Sequence, residues 1–301
     1  MAATAPTTPR PPGGITAGAR TDFRLEYKYL APIHLLPELR AAFCPWLCCD
    51  EFAAACPDRQ YTVRSIYYDN RRFDCYQEKV EGFTFKRKLR IRGYDRPVPD
   101  GRVFLEIKYK NQDYIGKSRA PVRWDRLPAV FDPGRAEVIG VPFEPDSPAA
   151  AAVRRFLYHY YRRRMLPVVL IAYEREAFYS RFDRTLRITF DKNVRSRLYP
   201  TLGSLYDDRG AKFVTPGQFV LEVKFFGSLP RWVRDIATRF ELLRVANSKY
   251  ARGIDRQRVE KKFLRGVGHR HEIFAAPGHP VTRSPSNRMT GHALETEETQ
   301  Q

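Results

Sequence analysis

Three short motifs place a glutamate two residues before a lysine, at Glu26–Lys28, Glu106–Lys108 and Glu222–Lys224. Each motif lies in a stretch where every second residue is apolar, which is the pattern of a β-strand with one buried face. Glutamate and lysine at this spacing point to the same side of their strand. Such a face could bind phosphate groups through the lysines and a divalent cation through the carboxylates.

The segment Thr84–Arg92 adds four cations to the same kind of face. Its charged positions alternate with mostly apolar ones and are Lys86, Lys88, Arg90 and Arg92. Sheet faces that simply meet water usually carry Thr, Ser and Gln beside their charges, whereas these faces are almost entirely Lys, Arg and Glu. Cations crowded together repel one another unless an anion lies among them, so the pattern suggests an anion-binding surface.

Two architectures would explain strands with one apolar and one charged face. The first is an open antiparallel sheet whose charged face meets water. The second is a closed barrel with its apolar face outward under helices and its charged face lining the bore. We favour the second and predict an α+β fold, a closed antiparallel β-barrel that forms a tunnel with a charged interior and flanking helices.

The elements behind this prediction are seven strands and four helices. The strands are predicted at Phe23–Leu30, Tyr61–Tyr68, Thr84–Arg92, Val103–Lys110, Val168–Tyr173, Leu186–Asp191 and Gln218–Phe225. The helices are predicted at Ile33–Phe43, Ala149–Arg163, Trp232–Leu243 and Lys249–Phe263, with possible N-terminal caps at Ser147, Ser228 and Ser248. Residues 1–21 are expected to be a disordered leader, 22–265 one folded domain, and 266–301 a disordered tail.

Composition limits the partners and the location of the chain. The 301 residues carry 53 Lys and Arg against 34 Asp and Glu, a formal net charge of +19. This charge indicates anionic partners or, alternatively, only a solvated basic surface. No apolar run reaches the roughly 20 residues of a membrane-spanning helix, and no signal peptide is recognisable. We therefore expect a cytoplasmic protein without a transmembrane segment and leave its oligomeric state open.

Several catalytic classes are disfavoured because their motifs are absent. The sequence has no phosphate-binding P-loop, no kinase glycine loop, no G-x-S-x-G and no H-E-x-x-H. Its five cysteines contain no C-x-x-C pair, and their odd number argues against a disulfide framework. Nucleophilic hydrolases and zinc enzymes are therefore disfavoured.

An ordered series of motifs resembles the VTC-type (vacuolar transporter chaperone) polyphosphate polymerase domain. This domain belongs to the triphosphate tunnel metalloenzymes, a CYTH-like superfamily. The first motifs are Arg24-Leu-Glu-Tyr-Lys28-Tyr29, Ser65-Ile-Tyr-Tyr-Asp69, Lys88-Leu-Arg-Ile-Arg92, Phe104-Leu-Glu-Ile-Lys108 and Gly116-Lys-Ser-Arg119. The later ones are Tyr173-Glu-Arg-Glu-Ala-Phe178, Leu186-Arg-Ile-Thr-Phe-Asp191, Leu221-Glu-Val-Lys224 and Asn247-Ser-Lys-Tyr250. No single motif is specific, but the ordered set spans about Asp22 to Arg265.

The resemblance implies an enzyme that transfers the γ-phosphoryl group of ATP to a growing polyphosphate chain, with a divalent metal, Mn²⁺ or Mg²⁺, as cofactor. ATP and inorganic polyphosphate are the implied partners, and no stable complex with nucleic acid is expected. The residues that match phosphate ligands of the family are Lys28, Arg90, Arg92, Lys108, Lys117, Arg175, Arg187, Lys224, Ser248 and Lys249. Glu222 matches the metal-binding carboxylate, while Glu26 and Glu106 face the same bore by strand alternation.

One departure from the superfamily bears on the reaction. Hydrolase and cyclase relatives begin with Glu-x-Glu-x-Lys, whereas Arg24 takes the place of the first glutamate here. The loss of one carboxylate favours the polymerase over a tunnel triphosphatase or a nucleotidyl cyclase. A non-catalytic module that binds polyphosphate or nucleic acid is the third alternative, although such a module would gain nothing from Glu222 in its bore.

Overall fold

The computed structural model of the chain describes residues 24–98, 100–111, 114–131 and 147–258. The leader predicted at 1–21 and the tail predicted at 266–301 lie outside these residues. The same holds for the last part of the helix predicted at Lys249–Phe263.

Strands dominate the described residues and are joined by short helices. The strands are β1 (Leu25–Pro32), β2 (Leu47–Cys49), β3 (Tyr61–Asp69), β4 (Phe85–Tyr94), β5 (Arg102–Asn111), β6 (Tyr114–Arg123), β7 (Leu166–Ser180), β8 (Arg187–Leu198), β9 (Lys212–Phe213) and β10 (Gln218–Phe225). The α-helices are α1 (Leu36–Phe43), α2 (Glu51–Ala54), α3 (Asp74–Val80), α4 (Leu127–Val130), α5 (Pro148–Arg162), α6 (Arg231–Arg239) and α7 (Lys249–Gln257). The α+β class is therefore confirmed.

All seven predicted strands are present with somewhat different ends, whereas β2, β6 and β9 were not predicted. Two of the three predicted caps form: the hydroxyl of Ser147 accepts from the backbone N–H of Ala150 at 3.2 Å, and that of Ser248 accepts from Ala251 at 3.3 Å. Pro230 rather than Ser228 precedes α6. No helix of the described ranges combines the length and apolarity that a membrane span requires.

The strands form one antiparallel sheet that curls without closing. Its main path runs β1-β10-β8-β7-β3-β4-β5-β6, with β2 and β9 added beside β7 and β8. Among the described residues β1 and β6 are the two ends of this path and no ladder joins them, so the prediction of a closed barrel is wrong. The free edge of β1 is instead covered by the chain before α7, where the N–H of Val245 donates to the carbonyl of Lys28 at 2.8 Å. Side chains also span the opening, because Lys108 Nζ of β5 lies 3.1 Å from Glu26 Oε2 of β1.

The register places the charged faces of the strands on the inside of the curl. Glu26 lies opposite Lys224 and Lys28 opposite Glu222, while Arg90 lies opposite Glu106. The apolar side chains of β4, β5, β8 and β10 point outward and join the helices in two buried clusters, whereas the inner face of β3 and β7 is partly apolar and packs against α7. One cluster packs the outer face of β4, β5 and β6 against α5, and the other packs β8 and β10 against α1 and α6.

A fully buried aspartate ties α3 and α7 to the end of β3. Asp69 accepts hydrogen bonds from the backbone N–H groups of Cys75 and Tyr76 at 3.0 Å, and from the hydroxyl of Tyr250. It thus caps the start of α3 and fixes a side chain of α7. Burial raises the pKa of Asp69, and these donors oppose that rise by stabilising the carboxylate.

Asp69→Asn should lower the free energy of unfolding by about 2–3 kcal/mol, because an amide NH₂ would face donors that need an acceptor. Denaturant unfolding measures this difference. Asp235→Asn on α6, where the carboxylate is exposed and makes only a 3.7 Å ion pair with Arg231, should change stability by less than about 0.5 kcal/mol. Equal small effects of the two substitutions would show that Asp69 does not hold the helices.

Candidate functional site

A cavity of about 120 Å³ lies inside the curl and is lined mainly by charged side chains. Its lining residues are Glu26, Lys28, Tyr67, Lys88, Arg90, Arg92, Lys108, Tyr173, Arg175, Glu222, Lys224, Ser248, Lys249 and Tyr250. Eight of them are Lys or Arg and two are Glu, so the wall carries a large excess of positive charge. Five strands of the path and the start of α7 contribute these cations.

The carboxylates on the inner face each contact two or more cations. Glu26 lies 2.6 Å from Lys28 Nζ and 3.1 Å from Lys108 Nζ. Glu222 contacts Lys224 and lies 3.9 Å from Lys28. These ion pairs hold β1, β5 and β10 together across the curl and reduce the repulsion among the lysines.

Two further carboxylates lie just behind the cavity wall. Glu106 contacts Arg90 at 2.6 Å, and it also contacts Lys117 and Arg119 on β6. Asp191 forms two hydrogen bonds with Arg175, at 2.7 and 2.8 Å, and contacts Lys249. Paired bonds of this kind fix the plane of the Arg175 guanidinium group before any ligand arrives. Arg90 is held at two points, by Glu106 at 2.6 Å and by the Tyr67 hydroxyl at 2.9 Å.

These surroundings keep the cavity carboxylates ionised. Burial and the nearby Glu222 both act to raise the pKa of Glu26, but Lys28, Lys224 and Lys108 outweigh them and lower it to about 2. Burial likewise opposes ionisation of Glu222, yet Lys224, Lys28 and Lys249 hold its pKa well below the usual range. Both groups are therefore weak bases that remain available as anionic ligands.

Lys88 and Arg92 have no carboxylate within ion-pair distance among the described residues. Lys88 Nζ donates to the hydroxyl of Ser248 at 2.8 Å, and Arg92 Nε donates to that of Ser65 at 3.1 Å. Burial, followed by repulsion from Lys28 and Lys108, lowers the pKa of Lys88 to about 7. Burial also lowers the pKa of Lys224, to about 8, although Glu222 opposes this shift. The cavity is therefore electrostatically prepared for an added anion.

The N-terminal end of α7 forms part of the same wall. Ser248 caps this helix, and Ser248, Lys249 and Tyr250 all line the cavity. The first N–H groups of a helix attract anions, so α7 adds a favourable dipole to the cations of the strands.

Thirteen site residues were predicted from the sequence, and ten of them line the cavity. These are Glu26, Lys28, Arg90, Arg92, Lys108, Arg175, Glu222, Lys224, Ser248 and Lys249. Glu106 and Lys117 lie in the adjoining layer beside Arg90. Arg187 is not part of the cavity wall and bonds to Asp50 at 2.7 Å and to the Tyr61 hydroxyl at 3.3 Å. Arg24 also lies outside the cavity wall and donates to the carbonyl of Thr185 at 3.4 Å.

Four lining residues are not among the predicted site residues, namely Lys88, Tyr67, Tyr173 and Tyr250. Strand alternation places Lys88 on the same charged face as Arg90 and Arg92, and this pattern could have identified it as a site residue. The tyrosines have no such signal, because their position depends on which strands and helices meet. In the structure Tyr67 accepts from Arg90 at 2.9 Å and stacks on Tyr250 with ring centres 5.2 Å apart.

The donor set restricts how a metal could be held. No group of three or more His, Cys, Asp or Glu side chains suited to a metal occurs in the part of the chain that the structure describes. Glu26 and Glu222 are the carboxylates that reach the cavity. One or two carboxylates completed by phosphate oxygens are a normal environment for Mg²⁺. These residues therefore fit a metal that shares its ligands with a phosphate substrate.

Comparison with known proteins gives one family match. The family model described as the VTC domain matches residues 23–257. No curated protein matches the chain. Matching solved structures include HpAC1 from Hippeastrum, for which a dominant triphosphatase activity is described. That structure is 11% identical, the match covers 77% of this chain and 95% of that one, and the TM-score is 0.40.

If the cavity is an anion site, tripolyphosphate should stabilise the protein through Arg90 and Arg92. At a hundredfold excess over Kd the gain is about 2.7 kcal/mol, which for a chain of this length raises Tm by several degrees. Arg90→Ala with Arg92→Ala should abolish most of that rise. The ligand-free double variant should also melt below wild type, because Glu106 loses its closest partner.

Arg231→Ala with Arg234→Ala is the matched control, since it removes two exposed arginines from α6. This pair should keep the full ligand-induced rise. An equal loss in both double variants would mean that the anion binds diffusely over the basic surface.

Proposed function

The chain belongs to the VTC domain family, and we propose that it is an ATP-dependent polyphosphate polymerase. The proposed reaction transfers the γ-phosphoryl group of ATP to the terminal phosphate of a polyphosphate chain and releases ADP. The observation that carries this proposal is the cavity wall, where eight Lys and Arg side chains face two carboxylates. A linear chain of phosphates is the ligand whose charge matches such a wall.

In this reaction the cations of the cavity would supply most of the rate acceleration. A terminal oxygen of the polyphosphate chain forms a bond to the γ-phosphorus, while the bond from that phosphorus to the bridging oxygen breaks and its electron pair leaves with ADP. Phosphoryl transfer of this kind depends on positioning and on stabilisation of charge that spreads over the oxygens. Arg90 and Arg175 suit this role because Glu106 and Asp191 already fix their orientation.

A divalent metal is part of the proposal. Glu222, with Glu26 as the second carboxylate of the cavity, would hold Mn²⁺ or Mg²⁺ together with phosphate oxygens. When bound, the metal would neutralise charge on those oxygens. Lys224 and Lys28 contact the same carboxylates, so their amines would have to turn toward the phosphates.

The group that attacks the γ-phosphorus is a reason to propose a polymerase rather than a triphosphatase. Hydrolysis uses water, which benefits from a general base with a pKa near the working pH. Glu26 and Glu222 are poor bases because their pKa values are strongly lowered. Lys88, whose pKa is about 7 in the ligand-free protein, would be protonated beside bound phosphates and could then not accept a proton from water. A polyphosphate oxygen is already anionic and needs no base. Arg24 supports the same choice, since it stands where hydrolase relatives carry a further carboxylate and lies outside the cavity wall.

The decisive assay incubates the purified protein with ATP and either Mn²⁺ or Mg²⁺ and resolves the products by chain length. Phosphate chains longer than triphosphate, formed together with ADP, are the expected result. Free phosphate without longer chains would indicate a triphosphatase, and a cyclic nucleotide would indicate a cyclase. Unchanged ATP with retained tripolyphosphate binding would indicate a non-catalytic module.

Glu222→Gln should reduce polymer synthesis at least about a hundredfold, because the amide is a poor ligand for the metal that we place there. The Kd of tripolyphosphate, measured without metal, should stay within a few fold of the wild-type value, since the cations remain and one negative charge is lost. Initial rates and titration calorimetry measure the two effects. The control Glu241→Gln changes an exposed glutamate and should alter neither. Normal synthesis by Glu222→Gln would exclude its metal role.

A further inference from the structure

Lys88 differs from the other lysines of the cavity in its contacts. Its amine donates to the hydroxyl of Ser248 at 2.8 Å and lies 5.9 Å from the centre of the Tyr250 ring. Lys28, Lys108 and Lys224 each contact a glutamate. No carboxylate of the described residues forms an ion pair with Lys88, so no group in that part of the ligand-free protein neutralises a charge on its amine.

The groups around Lys88 are mostly cations. Lys28 faces it from β1, Lys108 from β5, Lys79 from α3 and Arg90 from its own strand. The uncharged groups beside it are Ser248 and Tyr250 at the start of α7, with Tyr67 of β3 in the same wall. Glu26 and Glu222 are the described carboxylates of the same cavity wall, and each is already paired with lysines.

This environment makes protonation of Lys88 costly until an anion is present. Burial and then Lys28 and Lys108 hold its pKa near 7, so above neutral pH the amine is largely uncharged in the ligand-free protein. A phosphate group in the cavity would bring negative charge next to the amine. The charged form would then be favoured, and its N–H groups could donate to the phosphate oxygens.

We propose that Lys88 is a phosphate ligand that takes up a proton when the anion enters the cavity. The cavity would therefore bind its substrate and one proton together. This inference rests on the proposed function, because it names a further ligand of the same phosphate site. It assigns to Lys88 a role distinct from that of the permanently charged arginines Arg90 and Arg92, which bind at any pH.

The proposal predicts how affinity depends on pH. Where the free amine is uncharged and the bound amine is charged, the association constant falls by up to about tenfold for each pH unit. Above pH 7 the wild type should therefore lose affinity in a way that a permanently charged side chain does not. The ligand and Lys224, whose pKa is about 8, also change protonation in this range, but they do so in all the variants compared.

The test measures the Kd of inorganic tripolyphosphate, without metal, from pH 6 to pH 9 in three proteins. Lys88→Arg keeps the charge throughout, and Lys88→Met removes it throughout. The wild-type curve should lie near Lys88→Arg at pH 6 and approach Lys88→Met by pH 9. Lys212→Met, which removes an exposed lysine on β9, should run parallel to wild type. If Kd depends on pH in the same way in wild type and Lys88→Arg, Lys88 takes up no proton on binding. If all the proteins have equal Kd values, Lys88 does not contact the phosphates.

Calorimetry gives a direct second readout that does not need Lys88→Arg to fold. At pH 8, binding heats in buffers with different ionisation enthalpies report the number of protons taken up. The wild type should take up close to one proton more than Lys88→Met. An identical number in both proteins would overturn the proposal.

Stability without ligand supplies a third check. The pKa of Lys88 is lowered by folding, so between about pH 7 and the unfolded value near 10.5 the unfolded chain binds more protons. The wild type should therefore gain stability as the pH rises through this window. Lys88→Met lacks this penalty, so its Tm advantage over wild type should be larger at pH 6 than at pH 9. A pH-independent difference would count against a buried, titrating amine.

These measurements separate the inference from the proposed function. If the wild type did not bind tripolyphosphate at all, both the inference and the proposed function would be wrong. Tight binding with polymer synthesis but without Lys88-dependent proton uptake would overturn the inference alone. Proton-linked binding in a protein that makes no polymer would overturn the polymerase and leave the phosphate site intact.

Discussion

The arrangement of the inner face depends on keeping many cations together inside a curled sheet. Like charges this close would push the strands apart. Four carboxylates reduce this repulsion, because each contacts two or more cations. They are Glu26, Glu106, Asp191 and Glu222. The pairs bridge neighbouring strands and the opening between the sheet edges. Because they neutralise only part of the charge, the cavity keeps a positive excess that an anionic ligand can satisfy.

The charges on the inner face also explain where most of the helices lie. Because much of the inner face is charged, the sheet buries apolar side chains mainly on its outer face, where α1, α5 and α6 cover it. Helix α7 instead packs against β7 and β8 from the inside of the curl, where Ala251 and Ile254 join the first cluster and the first residues of the helix line the cavity. The buried Asp69 holds Tyr250 there, and Asp191 holds Lys249. The anion site thus depends on packing at the end of β3 as well as on the strands.

Strand alternation predicted most of the site, because the face on which a side chain lies is a local property of its strand. It placed Glu26, Lys28, Arg90 and Glu222 correctly on one inner face. It failed for β6, whose outward positions Gly116, Ser118 and Ala120 are small, so no apolar pattern marks it. A side chain at Gly116 would collide with Tyr109 of β5, and Arg155 of α5 lies over Ser118. Closure of the sheet and the role of Tyr250 depend on contacts between distant segments, which the local pattern does not contain.

The most direct test of the central claim is a crystal structure of the protein with bound tripolyphosphate. The account predicts the three phosphates in a row inside the curl, contacting Lys88, Arg90 and Arg92 on one side and the start of α7 on another. Tripolyphosphate bound on the outer arginine-rich surface, with the inner cavity holding only the ion pairs described above, would contradict it.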